Sequence, residues 1–246
     1  MHHFFIKPEQ IYNNEIIITG NDFRHIKNVL RMKIGEEATL SDGENPLLYH
    51  GIIADLNNEN VRFDLLYHEE INHELKARVY LFQSLPKASK MELIIQKAVE
   101  LGVHEIIPTA TDRSIVRLDE KKALAKVKRW QSISEAAAKQ NKRGIVPIVR
   151  EVMDFSQAIS SLDMMEIKII AYEMANDIEK TKSIIAGIKP GQNVAIFIGP
   201  EGGFSSHEIE LATKAGITPV TMGKRILRTE TAVFVILSWI MYHLEI

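Results

Sequence analysis

Val194-Ala195-Ile196-Phe197-Ile198-Gly199-Pro200-Glu201-Gly202-Gly203-Phe204-Ser205-Ser206-His207-Glu208 carries three signals in succession. Val194 to Ile198 is an apolar, β-branched-rich run that reads as a buried strand. Gly199, Gly202 and Gly203 allow positive φ and close approach of the backbone. Ser205 with Glu208 three residues later is a capping box, so a helix opens there with its free amide groups beside the glycine loop. The glycine spacing fits neither a P-loop nor the dinucleotide fingerprint.

Outward from this stretch the same texture repeats. Ile167 to Tyr172 and Ile217 to Met222 read as strands, with helices at about 177–187 and 205–215 and a last helix from about Thr229. Upstream, Arg78 to Leu85 and Glu105 to Pro108 are strands. Met91, Ile94, Ile95, Ala98 and Val99 mark a helix closed by Gly102, and Leu118 to Lys139 is a long helix. Strands alternating with helices predict a parallel α/β sheet covered on both faces. Ligands in such sheets bind beyond the carboxyl ends of the strands. Three of those ends carry unusual loops here: Tyr172-Glu173, Gly199 to Phe204, and Gly223 to Ala232, the last with Arg225, Arg228 and Glu230 around Thr229, which reads as a helix N-cap.

The N-terminal third differs. Ala38-Thr39-Leu40, Tyr49 to Leu56 and Val61 to Tyr67 are short apolar runs separated by turn signals, a small β-rich barrel or sheet. The polar stretch His68 to Lys76 places the boundary near residue 73, giving domains 1–72 and 73–246. Asn21-Asp22 caps a helix whose apolar face is Phe23, Ile26, Val29 and Leu30. Arg24, Lys27 and Arg31 form a stripe on the opposite face.

The chain of 246 residues has a formal net charge of −2 and no cysteine. Disulfides, thiolate catalysis, Fe–S clusters and cysteine zinc sites are excluded, and the nine histidines show no metal-ligand spacing. No metal is expected. No run of 18 apolar residues and no signal-peptide plan occurs, so a cytoplasmic protein without a membrane partner is the expectation. The near-neutral charge is a cancellation. Residues 113–150 carry 11 basic against 3 acidic residues, whereas 1–72 carry 6 against 12. Such clusters suit phosphate backbones or form the solvated face of a helix; Arg113, Arg117 and Arg143, with the Arg24/Lys27/Arg31 stripe, are the candidate RNA contacts.

Gly199-Pro200-Glu201-Gly202-Gly203-Phe204 and Met222-Gly223-Lys224-Arg225-Ile226-Leu227-Arg228-Thr229-Glu230-Thr231-Ala232 together closely resemble the RsmE family. These are the 16S ribosomal RNA uridine-N3 methyltransferases of the SPOUT superfamily. His2-His3-Phe4-Phe5, Arg24-His25 with Val29-Leu30-Arg31, Lys97-Ala98 with Glu100 to Val103, Ile107-Pro108, Arg113-Ser114, and Glu135-Ala136-Ala137 with Gln140 and Arg143 extend the match along the chain. Met222 and the pair Asn141-Lys142 depart from the family pattern.

The resemblance implies a PUA-like RNA-binding barrel joined to an α/β domain tied in a C-terminal trefoil knot, whereas periodicity alone suggests a simple doubly wound sheet. It implies S-adenosyl-L-methionine as cofactor, held by Glu173, Gly199, Pro200, Glu201, Gly202, Gly203, Met222, Gly223, Ile226, Leu227, Arg228, Thr231 and Ala232. It also implies a homodimer, for which Val233, Val235, Ile236, Leu237, Trp239 and Ile240 of the last helix offer an apolar surface, and the small ribosomal subunit as partner. Uridine N3 carries a proton, so the site needs a proton acceptor (Glu201 or Glu230) and a cation for charge developing on O2 and O4 (Arg228 or Arg225). The alternatives are another SPOUT enzyme methylating a ribose 2′-oxygen, or a non-catalytic RNA-binding or ribosome-assembly protein.

Overall fold

The computed structural model describes residues 1–70 and 73–246. It divides into two compact units, Met1–Glu74 with Ala138–Val146, and Leu75–Ala137 with Pro147–Ile246. The boundary expected after residue 72 falls on Asn72, outside the described residues. A contiguous division also misses that 138–146 returns to the first unit. Arg143 is 4% exposed there and pairs with the Glu74 carboxylate, which also accepts the Gly144 and Ile145 amides. Val146 N–H donates to Gly43 O at 2.9 Å.

The first unit is one six-stranded sheet. Its strands are β1 (His2–Phe5), β2 (Ile11–Tyr12), β3 (Glu15–Thr19), β4 (Glu37–Ser41), β5 (Leu47–Leu56) and β6 (Asn60–Glu70), in the order β1-β4-β5-β6-β3-β2. Only β1 and β4 run parallel. Alternation sets the faces: Ile16 and Ile18 enter a core with Phe4, Leu40, Ile53 and Phe63, while Ile17 is exposed. Helix α1 (Gly20–Arg24) runs into a π-helical turn, His25–Leu30, which ends at Arg31 with φ +54°. This corrects the expected helix. A π turn takes more residues per turn than an α turn, so Phe23 and Ile26 stay inside while Val29 swings out to 65% exposure.

The second unit holds β7 (Arg78–Ser84), α2 (Lys90–Glu100), β8 (Glu105–Ala110), most of α3 (Glu120–Gln140), β9 (Ile148–Val149), β10 (Met153–Asp154) and α4 (Phe155–Ser160). It continues with β11 (Ile167–Ala171), α5 (Ile178–Ala186), β12 (Asn193–Ile198), α6 (Ser206–Lys214), β13 (Thr218–Val220) and α7 (Thr229–Glu245). The sheet order is β10-β8-β7-β12-β11-β13 with β9 beside β8, and every pairing is parallel. All six residues of β12 are buried, which requires cover on both faces. Phe82 and Phe197 stack at 4.3 Å between neighbouring strands, and Phe155 and Phe204 close over them. Because β12, β11 and β13 are adjacent and parallel, their three carboxyl-end loops emerge side by side.

No helix among the described residues is long and apolar enough to cross a membrane. Helix α7 packs on α2, so Val233, Ile236, Leu237 and Ile240 are fully buried within the chain. The apolar surface expected of this helix is therefore corrected: among those six residues only Val235 and Trp239 remain partly exposed.

Candidate cofactor site at the carboxyl ends of three strands

The three loops enclose a cavity of about 290 Å³. The first contributes Tyr172 and Glu173, the second Gly199, Pro200, Glu201 and Gly203, and the third Met222 to Arg228, with Thr229 and Ala232 behind them. Gly202 and Thr231, expected in the same wall, do not line it. Gly202 faces Arg113, whose Nη1 donates to Gly202 O at 3.0 Å, and Thr231 sits in the first turn of α7.

The loop conformation depends on glycine at two points. A Cβ on Gly199 would lie 3.2 Å from the Gly203 backbone, and Gly203 itself has φ +66°. Beyond the loop, Ser205 caps α6 as the sequence predicts: its hydroxyl accepts from Glu208 N–H at 3.1 Å, and Glu208 accepts from Ser205 N–H at 2.7 Å. The same Glu208, almost fully buried, also accepts from Asp112 N–H at 2.9 Å, and Ser205 donates to the Asp112 carboxylate at 2.7 Å. The exit of the loop is thus pinned to the segment after β8.

Thr229 is not the N-cap. Arg228 holds that position without a side-chain cap, and Thr229 opens the helix. The buried Thr229 hydroxyl donates to Gly199 O at 2.7 Å and accepts from Gln83 Nε2 at 3.0 Å, tying the second and third loops to the end of β7. Gln83 and this tie were not foreseen, because 146 residues separate the partners.

Glu201 and Glu230 meet one lysine that the sequence reading did not single out. Lys90 Nζ lies 2.9 Å from Glu201 Oε1 and 3.4 Å from Glu230 Oε2. Glu201 also accepts from Lys87 N–H at 3.2 Å. Burial pushes the Glu201 carboxyl up, but the Lys90 ammonium and the backbone amides outweigh it and hold the carboxyl below the usual range. Lys90 is correspondingly raised, chiefly by its hydrogen bond to Glu201. Glu230 Oε2 is buried without a hydrogen bond, the 3.4 Å to lysine being too long for a good one.

The candidate RNA residues differ in how far they are engaged. Arg24, Arg31, Arg113 and Arg117 are exposed, although Arg113 donates to Gly202 O at 3.0 Å and Arg117 to Asp112 O at 3.5 Å. Lys27 is partly used: its Nζ donates to Asn57 O at 2.7 Å and Asn58 Oδ1 at 2.9 Å. Arg143 is a correction, since its guanidinium is buried against Glu74 and has no face for a phosphate. Conversely, Lys224, Arg225 and Arg228 at the cavity are exposed, and none forms an ion pair among the described residues.

An RNA methyltransferase domain model matches residues 73–241, and an RNA methyltransferase PUA domain model matches 18–66. The ribosomal RNA small subunit methyltransferase E of Bacillus subtilis is 35% identical over 232 residues, 93% of this chain and 90% of that protein. The protein of the same name from Mesomycoplasma hyopneumoniae is 32% identical over 97% and 98% of the two chains. The crystal structure of a ribosomal RNA small subunit methyltransferase E from Neisseria gonorrhoeae bound to S-adenosyl methionine superposes with a TM-score of 0.83 at 30% identity, covering 97% and 95%. The chain, a mixed α/β protein with a PUA-like N-terminal part, belongs to the RsmE family of RNA methyltransferases.

Proposed function

We propose that this protein methylates N3 of a specific uridine in 16S ribosomal RNA of the small ribosomal subunit, using S-adenosyl-L-methionine. The observation that carries this reading is the three-loop cavity, with the relatives' shared name and the cofactor bound in the Neisseria relative as its context. Its size lies at the lower edge of small-molecule sites. Its lining fits the cofactor: apolar Phe204, Met222, Leu227 and Ala232 for the adenosine, and Glu173 for a cationic group.

Bound S-adenosyl-L-methionine supplies an electrophilic methyl group on a sulfonium. The chain's own residues hold the acceptor and its proton. Arg228, at the mouth of the cavity, balances negative charge on O2 and O4 of the base, with Arg225 beside it. Glu201 is a weak proton acceptor, because its carboxyl is held low and accepts from both Lys90 and the Lys87 amide. Glu230 keeps one oxygen without a hydrogen bond, but it does not line the cavity and lies 3.4 Å from the same ammonium, so both glutamates stand as acceptors for the N3 proton. The target base is taken out of its stack to reach the cavity.

In this reading residues 1–72 are the PUA-like RNA-binding domain and 73–246 the SPOUT domain. The loops after β12 and β13 form the trefoil knot, whose tightness the Thr229 to Gly199 bond supports. Arg24, Arg31, Arg113 and Arg117 contact RNA phosphates. The protein acts as a homodimer in the cytoplasm, Val235 and Trp239 being part of the subunit contact.

Calorimetry with S-adenosyl-L-methionine tests the cofactor, and saturable one-to-one binding per chain is expected. Mass spectrometry of 16S rRNA nucleosides tests the product. 3-Methyluridine should vanish on deletion of the gene, and its persistence would refute the assignment.

A further inference from the structure

Lys90 opens α2, where the helix dipole disfavours a cation. The turn that brings it there is strained as well: Ala88 has φ +54°, a left-handed conformation unfavourable for alanine. Both costs are met in one place. The turn directs Lys87 N–H at Glu201, and the lysine side chain reaches Glu201 and Glu230 together. Glu201 belongs to the glycine loop after β12, and Glu230 to the start of α7 after the third loop. These loops form two walls of the cavity, yet Lys90 does not line it.

We propose that Lys90 is a positioning residue for the methyl-transfer site: by bridging Glu201 and Glu230 it clamps the glycine loop against the start of α7 and so sets the width of the cavity. The proposal rests on the cofactor reading above. The titratable groups that face one another are Lys90 from α2, Glu201 from the glycine loop and Glu230 from α7. Without the lysine two carboxylates confront each other in a partly buried space, and their repulsion pushes the walls apart. One of them then takes up a proton more readily, so acid relieves the damage.

The test is titration of the full-length protein with S-adenosyl-L-methionine between pH 5 and pH 8.5, alongside melting temperatures. Wild type binds with little pH dependence across this range; if it binds no cofactor, the function proposed above fails, and not the clamp alone. Lys90→Met should bind about tenfold more weakly at the alkaline end, roughly the effect of one like-charge contact, and recover toward wild type as pH falls. Lys90→Arg should stay within about threefold of wild type, since it keeps the charge. Lys90→Met/Glu201→Gln should lose the pH dependence. Wild-type affinity for Lys90→Met, or a loss equal at every pH and unrelieved in the double variant, overturns the clamp. If Lys90→Met does not fold, the double variant decides: its refolding supports the proposal and its failure to fold overturns it.

Discussion

Two of the molecule's basic regions put their charge to different uses. Segment 113–150 is the richer in cations, but Lys122, Arg129, Lys139, Arg143 and Arg150 are paired with Asp119, Glu92, Asp22, Glu74 and Glu105. The loop 223–228 has only Lys224, Arg225 and Arg228, all exposed and without ion pairs among the described residues, at the rim of the cavity. Charge density along a chain therefore does not measure charge available to a ligand. In the first region much of it is matched by neighbouring carboxylates; in the second it remains free for phosphates or for a reacting base.

Breaking the buried pair should give the largest effect. Arg143→Ala leaves Glu74 uncompensated and should cost about 3–5 kcal/mol, read as a lower denaturation midpoint of the first unit. Unchanged stability would mean that Arg143 belongs with the free cations after all. Next comes Arg228→Ala in the other region. It should slow single-turnover methylation about 100- to 1000-fold, with cofactor affinity changed far less. Equal losses in both quantities would assign Arg228 to cofactor binding alone.

A smaller effect is expected from the cations of 113–150 that remain exposed. Arg117→Ala with Lys121→Ala should weaken RNA binding and flatten the salt dependence of log K by about 0.7 per lost phosphate contact on single-stranded RNA, leaving stability unchanged. An unaltered slope would exclude this face from the RNA interface.

A pH-dependent effect concerns the buried ring of His3. Its ring nitrogens face Thr39 and Ser41 hydroxyls at 3.1 Å each. Burial, then Lys139 and Lys142, pull its pKa from 6.5 to about 4. Because the folded value is depressed, the unfolded chain takes up the proton first. Stability therefore declines as pH falls from 6.5 and levels off near 4. His3→Gln should remove that decline, and a stability profile of the same slope in this window would count against the assignment.

Local pattern made much of the second unit readable. The capping box at Ser205, the closure of α2 at Gly102 and the strand-helix alternation follow from short-range physics and appear where periodicity puts them. Less of the first unit was legible. Strands β1 to β3 were not read, although Ile16, Ile17 and Ile18 alternate in burial. The π-helical turn at His25–Leu30 defeated an α-helical reading of Val29. The site divides in the same way. Its glycine and arginine loops form recognisable motifs, whereas Lys90, Gln83 and Asp112 carry no local signal, because each acts on a partner more than 90 residues away.

Residue order alone established the strand–loop–helix units, the absence of thiol chemistry and the family resemblance, all of which depend on neighbours a few positions apart. Parallel adjacency of β12, β11 and β13 then brought three separate loops around one cavity. Folding also determined which of many cations and carboxylates neutralise one another. Ion pairing depends on distances of a few ångströms in space, and residues such as Arg143 and Glu74 meet only when the chain returns.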